Sequence, residues 1–324
     1  MTHVVRIYGD IQIFAGSSHP ELAEEIAKYL GVPLSPREII RFPNDNIFVR
    51  LLTSVRGQDI FVIQALSAPV SHNIMEFLIL LDTIKRANAG RITAVMPYYA
   101  YGRSDKKDQP RVPITARLLA DIVKTAGADR FLTLDLHAGQ IQGFFNIPGD
   151  EVSTFHLLSD YMLEKELHKR PGGAVVVTAD LGYAKKGRNF AQVLNLPMAF
   201  IEKRRTGNDA KAQALTVIGD VAGKAVIIVD DEVDTAGSMR GAVNILKEAG
   251  AAEVYLCFTH PILSPPAIER LSGLPITEII TTNSVPIPSE KRLPNMTVLS
   301  VAPLLGEVMR RIHEGQSVGQ MFNE

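Results

Sequence analysis

Several features that often mark a protein's environment are scarce in this sequence. It has one cysteine, Cys257, and no tryptophan, so an internal disulfide framework is excluded and a reducing compartment is suitable. The net charge of −1 argues against a general nucleic-acid coat or an anionic membrane surface as partner. The first residues do not resemble a secretory signal, and the longest apolar runs are too short to span a bilayer. We therefore expect a cytoplasmic protein.

What the sequence does contain is an alternation of helix-like and strand-like segments. Helix-like segments that end in glycine or in Ala-Gly-Ala are followed by apolar runs, as in Leu81–Gly90 before Arg91–Met96 and Gly241–Ala252 before Glu253–Phe258. Glycine just past a helix end supplies a left-handed cap, and the run that follows enters a sheet. The alternation predicts an α/β fold with largely parallel sheets.

The 324 residues suggest about two domains. Seven apolar runs have the composition of buried strands, and they are Ile60–Leu66, Ile92–Pro97, Phe131–Leu136, Ala174–Thr178, Met198–Ile201, Ala225–Val229 and Val254–Thr259. Three precede Pro148 and four follow it, so we predict two doubly wound domains, 1–149 and 150–302. Asp150–Arg170 is predicted to be a helical bridge. Pro303–Glu314 is predicted to be a further helix, with segment 303–324 able to pack back onto the first domain.

The most specific segment is Val226–Ser238, where an apolar strand leads into two adjacent carboxylates and then into Asp-Thr-Ala-Gly-Ser. Small residues let the backbone turn tightly, two hydroxyls add donors, and a helix expected from Met239 adds a positive dipole end. Together these suit a phosphate monoester, while the carboxylates suit adjacent sugar hydroxyls. We predict a phosphorylated-sugar site rather than a capped loop with incidental acids. Its residues are Asp230, Asp231, Asp234, Thr235, Ala236, Gly237 and Ser238.

Polar and charged residues also follow other predicted strands, where ligands bind in open α/β sheets. Asp135 and His137 lie two apart at a strand end, so both are expected to point to one side. A histidine with a carboxylate can hold Mg²⁺, although a buried, hydrogen-bonded histidine is as common. Lys203–Arg205 precedes a segment, 206–211, that we interpret as a mobile loop closing over a polyphosphate; a solvated basic patch is the alternative.

These segments together resemble the ribose-phosphate pyrophosphokinase family over nearly the whole chain. Val229–Ser238 resembles the family's ribose 5-phosphate loop, with Ser238 in place of a final threonine. Leu134–Phe145 resembles its Asp-Leu-His-x-x-Gln-Ile-Gln-Gly-Phe-Phe segment, and Pro97–Lys107 resembles its Pro-Tyr-x-x-Tyr-x-Arg-Gln-Asp-Arg/Lys-Lys segment. Lys203–Arg205 resembles its catalytic flexible loop. The combination is highly specific.

The resemblance implies two phosphoribosyltransferase-like domains and transfer of the pyrophosphoryl group of Mg-ATP to the C1 hydroxyl of ribose 5-phosphate, giving phosphoribosyl pyrophosphate and AMP. It implies that Lys203 and Arg205 are catalytic and that His137 and Asp180 serve a Mg²⁺ site. It also implies a homo-oligomer, a dimer or hexamer, with the nucleotide site shared between subunits; neither nucleic acid nor membrane is expected as a partner. The residues implied for ATP binding are Phe42, Asn44, Asn46, Arg103, Ser104 and Asp105.

The chain departs from the family pattern on the nucleotide side. Segment 42–46 reads Phe-Pro-Asn-Asp-Asn where the family has Phe-x-Asp-Gly-Glu, so amides replace both acids. Ser104 stands where the family has glutamine, and segment 179–183 keeps only Asp180 and Gly182 of Pro-Asp-His-Gly-Gly. The sugar-phosphate loop and the Lys/Arg loop are intact.

Two other functions remain open at this point. A phosphoribosyltransferase uses a similar acidic-pair loop to consume phosphoribosyl pyrophosphate, but it needs neither Arg103–Lys107 nor the first half of the chain. A non-catalytic regulatory homologue of the synthetase is kept open as an alternative by the changes at Asn44, Asn46, Leu181 and Tyr183. Retention of the Lys/Arg loop and the sugar loop argues against that homologue.

Overall fold

The structure is a computed structural model that describes residues 8–179, 181–205 and 213–321. At positions 181, 203–205, 213–214 and 320 it describes the backbone alone. The chain divides into two compact units. The first extends to Ser153 and also includes residues 284–286 and the C-terminal segment from Ser300; the second comprises Thr154–Asn283 and Ile287–Leu299.

The first unit is built on a five-stranded parallel sheet with strand order β1-β4-β5-β6-β7 and a separate two-stranded antiparallel hairpin, β2-β3. The strands are β1 Ile11–Ala15, β2 Arg37–Arg41, β3 Ile47–Leu51, β4 Asp59–Ile63, β5 Arg91–Met96, β6 Arg130–Leu134 and β7 Gly149–Val152. The helices are α1 Pro20–Leu30, α2 Val70–Arg86 and α3 Thr115–Ala126.

The core of the first unit follows from the spacing of its apolar residues. In α2, Phe77, Leu80, Leu81 and Ile84 recur at helical spacing and are completely buried. Burying each of these side chains contributes about 1.5–3 kcal/mol. Strand β4 is buried along its whole length, as expected for a parallel strand covered on both faces.

The second unit is built on a seven-stranded sheet with strand order β10-β9-β8-β11-β12-β13-β14, parallel except for β9-β10. The strands are β8 Ala174–Thr178, β9 Met198–Arg205, β10 Gln213–Ile218, β11 Ala225–Val233, β12 Glu253–Pro261, β13 Glu278–Thr282 and β14 Met296–Leu299. The helices are α4 Phe155–Glu164, α5 Ala184–Val193, α6 Gly237–Glu248 and α7 Ala267–Ser272. Cys257 is buried in β12, and burial raises the pKa of its thiol far above the ordinary value.

The last helix, α8 (Ala302–Glu314), belongs to the first unit and packs against α1. Gly306 lies against the ring of Tyr29, where a Cβ would come within 2.5 Å of a ring carbon. At the other end of α8, His313 Nδ1 lies 2.8 Å from the buried carboxylate of Asp59, which also accepts two hydrogen bonds from Arg91, at 2.8 and 2.6 Å. None of the helices in the described part of the chain combines the length and apolarity needed to cross a membrane.

The predicted α/β class with largely parallel sheets is confirmed, and all seven predicted strands are present, Ala174–Thr178 with the predicted bounds and the other six with shifted ends. The prediction that Asp150–Arg170 is helical was wrong at its start, because residues 149–152 form β7, which pairs with β6 and buries Val152. The helix in this segment is confined to Phe155–Glu164. The helix predicted from Met239 begins at Gly237.

Gly149 in β7 provides a test of packing in the first unit. A Cβ at this position would lie 2.1 Å from the ring of Phe131, which stacks on Phe145 at a centroid distance of 3.9 Å. Because the ring cannot yield without disturbing that stack, we expect Gly149→Ala to destabilise the fold by about 1–3 kcal/mol. Urea denaturation followed by circular dichroism measures the change. Gly143→Ala is the control, since nothing lies within 4 Å of its Cβ position; equal midpoints for the two variants would contradict the expectation.

Candidate functional site

The acidic pair lies within the central strand of the second unit. Strand β11 continues to Val233, past the predicted end at Val229, so Asp230 and Asp231 belong to the strand rather than to a loop. Asp230 pairs with Phe258 of β12 and is half-buried, whereas Asp231 is buried. The Asp231 N–H donates to Asp230 Oδ1 at 2.9 Å. Sheet pairing therefore fixes the backbone that carries both carboxylates.

The turn after this strand presents the start of α6 to solvent. Ala236 has a φ of 57° and is buried, and α6 begins at the next residue. The N-cap residue, Ala236, makes no side-chain cap hydrogen bond, while Thr235, Gly237 and Ser238 are exposed. The N-terminal end of this 12-residue helix, with its positive dipole end, thus lies beside two exposed hydroxyl side chains. This end of the helix is suited to bind a phosphate group.

Arg270 is a neighbour of this turn that the sequence did not indicate. It lies on α7 and is half-buried, and its Nη1 donates to the Thr235 carbonyl at 2.8 Å. The same nitrogen would be 3.4 Å from a Cβ at Gly237. It thus holds the turn and places a positive charge beside the exposed helix end. Because Arg270 is far from Thr235 in the sequence, a search for continuous motifs does not find it.

In the first unit, the segment after β5 is folded against the start of α3. Ser104 Oγ accepts the Thr115 N–H at 3.2 Å, and the Ser104 carbonyl accepts the Ala116 N–H at 3.2 Å. Ser104 therefore satisfies donors of the first turn of α3. Asp105 is buried and accepts a hydrogen bond from Gln140, while Arg103 is exposed.

His137 lies close to this segment. It is exposed, and a Cβ at Gly102 would lie 3.2 Å from the His137 Cβ, so the loops after β5 and β6 meet here. The expectation that Asp135 and His137 point to one side assumed a strand to Leu136, but β6 ends at Leu134. Asp135 has a φ of 30°, is buried and accepts the Ser153 hydroxyl at 2.8 Å, so strand alternation no longer applies.

The remaining predicted nucleotide residues occupy the tip of the β2-β3 hairpin. Phe42 is 44% exposed and lies 6.4 Å from the ring of Phe48. Its N–H donates to the Asn46 carbonyl at 2.8 Å, and the Asn46 N–H donates to Asn44 Oδ1 at 3.2 Å. The amide of Asn44 therefore helps to shape the turn that presents Phe42.

The structure describes only part of the residues predicted for catalysis and metal binding in the second unit. The backbone of Lys203–Arg205 continues β9, in register with β10, so the triplet ends the strand that it was predicted to follow. The side chains of Lys203 and Arg205, the loop 206–211 and Asp180 lie outside the described residues. Within the described ranges, no group of three or more His, Cys, Asp or Glu side chains is placed to hold a metal ion.

Two family models match the chain. One, described as the N-terminal domain of ribose phosphate pyrophosphokinase, matches residues 11–127; the other, a phosphoribosyl synthetase-associated domain, matches residues 206–323. The chain belongs to the ribose-phosphate pyrophosphokinase family. Its sequence is 48% identical over 319 residues to the ribose-phosphate pyrophosphokinase of Caldanaerobacter subterraneus, covering 98% of this chain and 100% of that protein. The ribose-phosphate pyrophosphokinase of Clostridium acetobutylicum is 48% identical over 315 residues, covering 97% of this chain and 98% of that protein.

A solved structure agrees with the sequence matches. The phosphoribosylpyrophosphate synthetase of Mycobacterium smegmatis superposes with a TM-score of 0.90 at 45% identity, covering 95% of this chain and 100% of that one. The predicted family and the prediction that the chain is a ribose-phosphate diphosphokinase are confirmed. Since both halves match along their length, the alternative of a phosphoribosyltransferase is no longer favoured.

Arg270 yields a prediction for the sugar-phosphate site. We expect Arg270→Met to weaken binding of ribose 5-phosphate about five- to tenfold, because the variant loses the charge beside the helix end and the bond that holds the Thr235 carbonyl. Isothermal titration calorimetry with ribose 5-phosphate measures the dissociation constant. Arg292→Met is a matched control, since Arg292 also donates to a backbone carbonyl, that of Ile287 at 3.3 Å. Equal losses in both variants would show that the effect is not specific to the turn.

Proposed function

We propose that the chain catalyses transfer of the pyrophosphoryl group of Mg-ATP to the C1 hydroxyl of ribose 5-phosphate, producing phosphoribosyl pyrophosphate and AMP for nucleotide biosynthesis. The observation that carries the proposal is the continuous segment from Asp230 to Ser238, in which two carboxylates on β11 are followed by the N-terminal end of α6. A molecule with hydroxyls at one end and a phosphate at the other fits this order of groups. Membership of the ribose-phosphate pyrophosphokinase family supports this reaction.

Each part of the segment has a chemical task in the proposed reaction. Asp230 and Asp231 accept hydrogen bonds from the sugar hydroxyls, which orients the C1 hydroxyl as the attacking nucleophile. The N–H groups at the start of α6, with Thr235 and Ser238, hold the 5-phosphate. Attack at the β-phosphorus requires little covalent chemistry from the protein, so positioning and charge neutralisation provide the rate enhancement. Lys203 and Arg205 are the proposed cations for the transition state.

The nucleotide is assigned to residues of the first unit. Phe42 offers an exposed ring suitable for a base, and Asn44 and Asn46 offer amides in place of the family's acids. Arg103, which is exposed, is suited to the phosphates, while the Ser104 and Asp105 side chains are engaged in holding that loop. The substitution of amides reduces negative charge near the base without removing hydrogen-bonding groups.

We propose Mg²⁺ as the cofactor, held by His137 and Asp180. Mg²⁺ usually binds proteins through one or two side chains and completes its shell with water and substrate phosphates. The described residues fit that mode better than an all-protein cage, because His137 is exposed at a loop and no group of three or more potential metal-binding side chains is found among them. When bound with ATP, the ion supplies charge neutralisation for the polyphosphate.

A homo-oligomer in the cytoplasm, dimer or hexamer, is the proposed state of the enzyme. Support comes from the outer face of the hairpin, where Ile40, Phe42, Phe48 and Leu52 are each at least 40% exposed. Several large apolar side chains on one small hairpin are typical of a surface that binds another protein chain. A second copy covering this face would also bring the hairpin tip to a neighbouring subunit.

Lys203 gives the sharpest test of the reaction. We expect Lys203→Ala to lower AMP formation from ATP and ribose 5-phosphate on the order of 10³-fold or more, as for loss of a transition-state cation. Ribose 5-phosphate binding should persist, because its proposed contacts lie on β11 and α6. Lys224→Ala is the control: Lys224 lies in the same unit and pairs at 2.8 Å with an exposed Asp220. Near-normal turnover in Lys203→Ala would refute the assignment.

The same assay separates the alternatives. AMP release without any added nucleobase supports a synthetase and is not expected of a phosphoribosyltransferase. A regulatory homologue would fail to turn over alone and would instead stimulate an added synthetase. Turnover by the purified protein therefore decides between the three functions.

A further inference from the structure

The β2-β3 hairpin is attached to the first unit without joining its sheet. Among the described strands, β2 and β3 pair only with each other. Inner residues such as Val49 pack into the core, whereas the outer face and the tip are exposed. Packing alone resists separation of the hairpin from the unit but allows sliding and tilting, since apolar contacts are non-directional. The orientation of the tip then depends on directional hydrogen bonds at the root of the hairpin, where β2 begins.

Arg37, the first residue of β2, provides such bonds. Its Nε donates to the Ala15 carbonyl, and its Nη2 donates to the Gly16 carbonyl at 3.3 Å. A planar guanidinium bonded to two successive carbonyls fixes both the distance and the angle of the strand that carries it. The side chain is half-buried: burial lowers its pKa, and Glu76 nearby acts in the opposite direction. A buried polar network thus surrounds the root.

The loop that accepts these bonds is itself held firmly. Glu76 is buried at 1% exposure, and its carboxylate accepts the Ser17 N–H and the Ser17 hydroxyl, both at 2.6 Å. Gln64 Nε2 adds a third hydrogen bond at 2.9 Å. A Cβ at Gly16 would lie 2.1 Å from Gln64 Oε1, so this loop has no room to shift toward Gln64. The carbonyls of Ala15 and Gly16 are therefore fixed reference points.

We propose that Arg37 is a positioning residue for the nucleotide, fixing the angle at which the hairpin presents Phe42, Asn44 and Asn46. This inference rests on the proposed role of the hairpin tip in binding ATP. A strand rises about 3.3 Å per residue, so the tip is about 17 Å from Arg37, and a tilt of about 5° at the root moves it by roughly 1.4 Å. Misplacement of binding groups by about 1 Å is enough to weaken their action severely.

The test compares steady-state kinetics of intact enzyme variants. We expect Arg37→Met to raise KM for ATP roughly tenfold, because two bonds from a charged donor are lost. The KM for ribose 5-phosphate and kcat at saturating ATP should stay within about twofold, since neither depends on the hairpin angle. Arg37→Lys, which keeps the charge but has a single nitrogen in place of the planar fork, should fall between. Arg50→Met is the control: Arg50 makes an exposed ion pair with Glu38, at 2.7 Å, on the same hairpin.

Amide hydrogen exchange tests the anchor independently of activity. In Arg37→Met the amides of β2 and β3 should exchange faster, while those of β5 keep the wild-type rate. If Arg37→Met fails to fold, the kinetics and the hydrogen exchange are both measured on Arg37→Lys instead. Unchanged hairpin exchange, or an unchanged KM for ATP in an enzyme whose Phe42→Ala variant does raise it, would overturn the proposal.

Phe42→Ala also separates this inference from the function on which it rests. If removing the exposed ring leaves KM for ATP unaltered, the hairpin does not bind the nucleotide, and the positioning role falls with it. If Phe42→Ala and Arg37→Met both raise KM for ATP and Arg50→Met does not, the anchor at the root and the contact at the tip act together.

Discussion

Parallel pairing of strands is the constraint on which both units depend. A chain that makes parallel pairs must return to the starting edge between the paired strands, so the loops that follow the parallel strands of a sheet open at one edge. In the first unit this places the loops after β5 and β6 side by side, and Gly102 meets His137. In the second unit it places the acidic end of β11 between those of β8 and β12. Functional side chains that are distant in sequence become neighbours through backbone pairing alone.

Buried carboxylates then tie the peripheral segments to this frame. Asp59 is completely buried in β4 and is bonded by Arg91 and His313, which fastens the end of α8. Glu76 is bonded by Ser17 and Gln64, which fastens the loop after β1. A carboxylate taken out of water destabilises the fold unless its oxygens are fully bonded. Each of these two carboxylates therefore requires particular hydrogen-bond donors, and those donors lie on separate segments that would otherwise be free to move.

The sequence allowed prediction of those parts of the fold and site that are encoded locally. The strands found in advance are apolar runs, and β7, which reads Gly-Asp-Glu-Val, carries no such signal. Strand β13, which reads Glu-Ile-Ile-Thr-Thr, carries one and was nevertheless not predicted. The proposed sugar-phosphate site lies in one continuous segment, so all of its residues could be named from the sequence. Arg270 and Arg37 could not be predicted, because each acts on a backbone carbonyl of a distant segment and neither forms part of a motif. The capping of α3 by Ser104 could not be predicted either, because it too joins residues that are separated in the sequence.

The two proposed substrate regions are built by different means, and this accounts for where the chain departs from its family. The phosphate end of the proposed sugar site consists mainly of backbone: a left-handed residue at Ala236 and the N–H groups of α6. Few side chains can be exchanged there without altering the turn itself. The hairpin tip instead presents side chains on a frame fixed elsewhere, at the packed inner face and at Arg37. The side chain of a residue such as Asn46 can therefore change without disturbing the fold, and it is on this side that the family's acids have been replaced by amides.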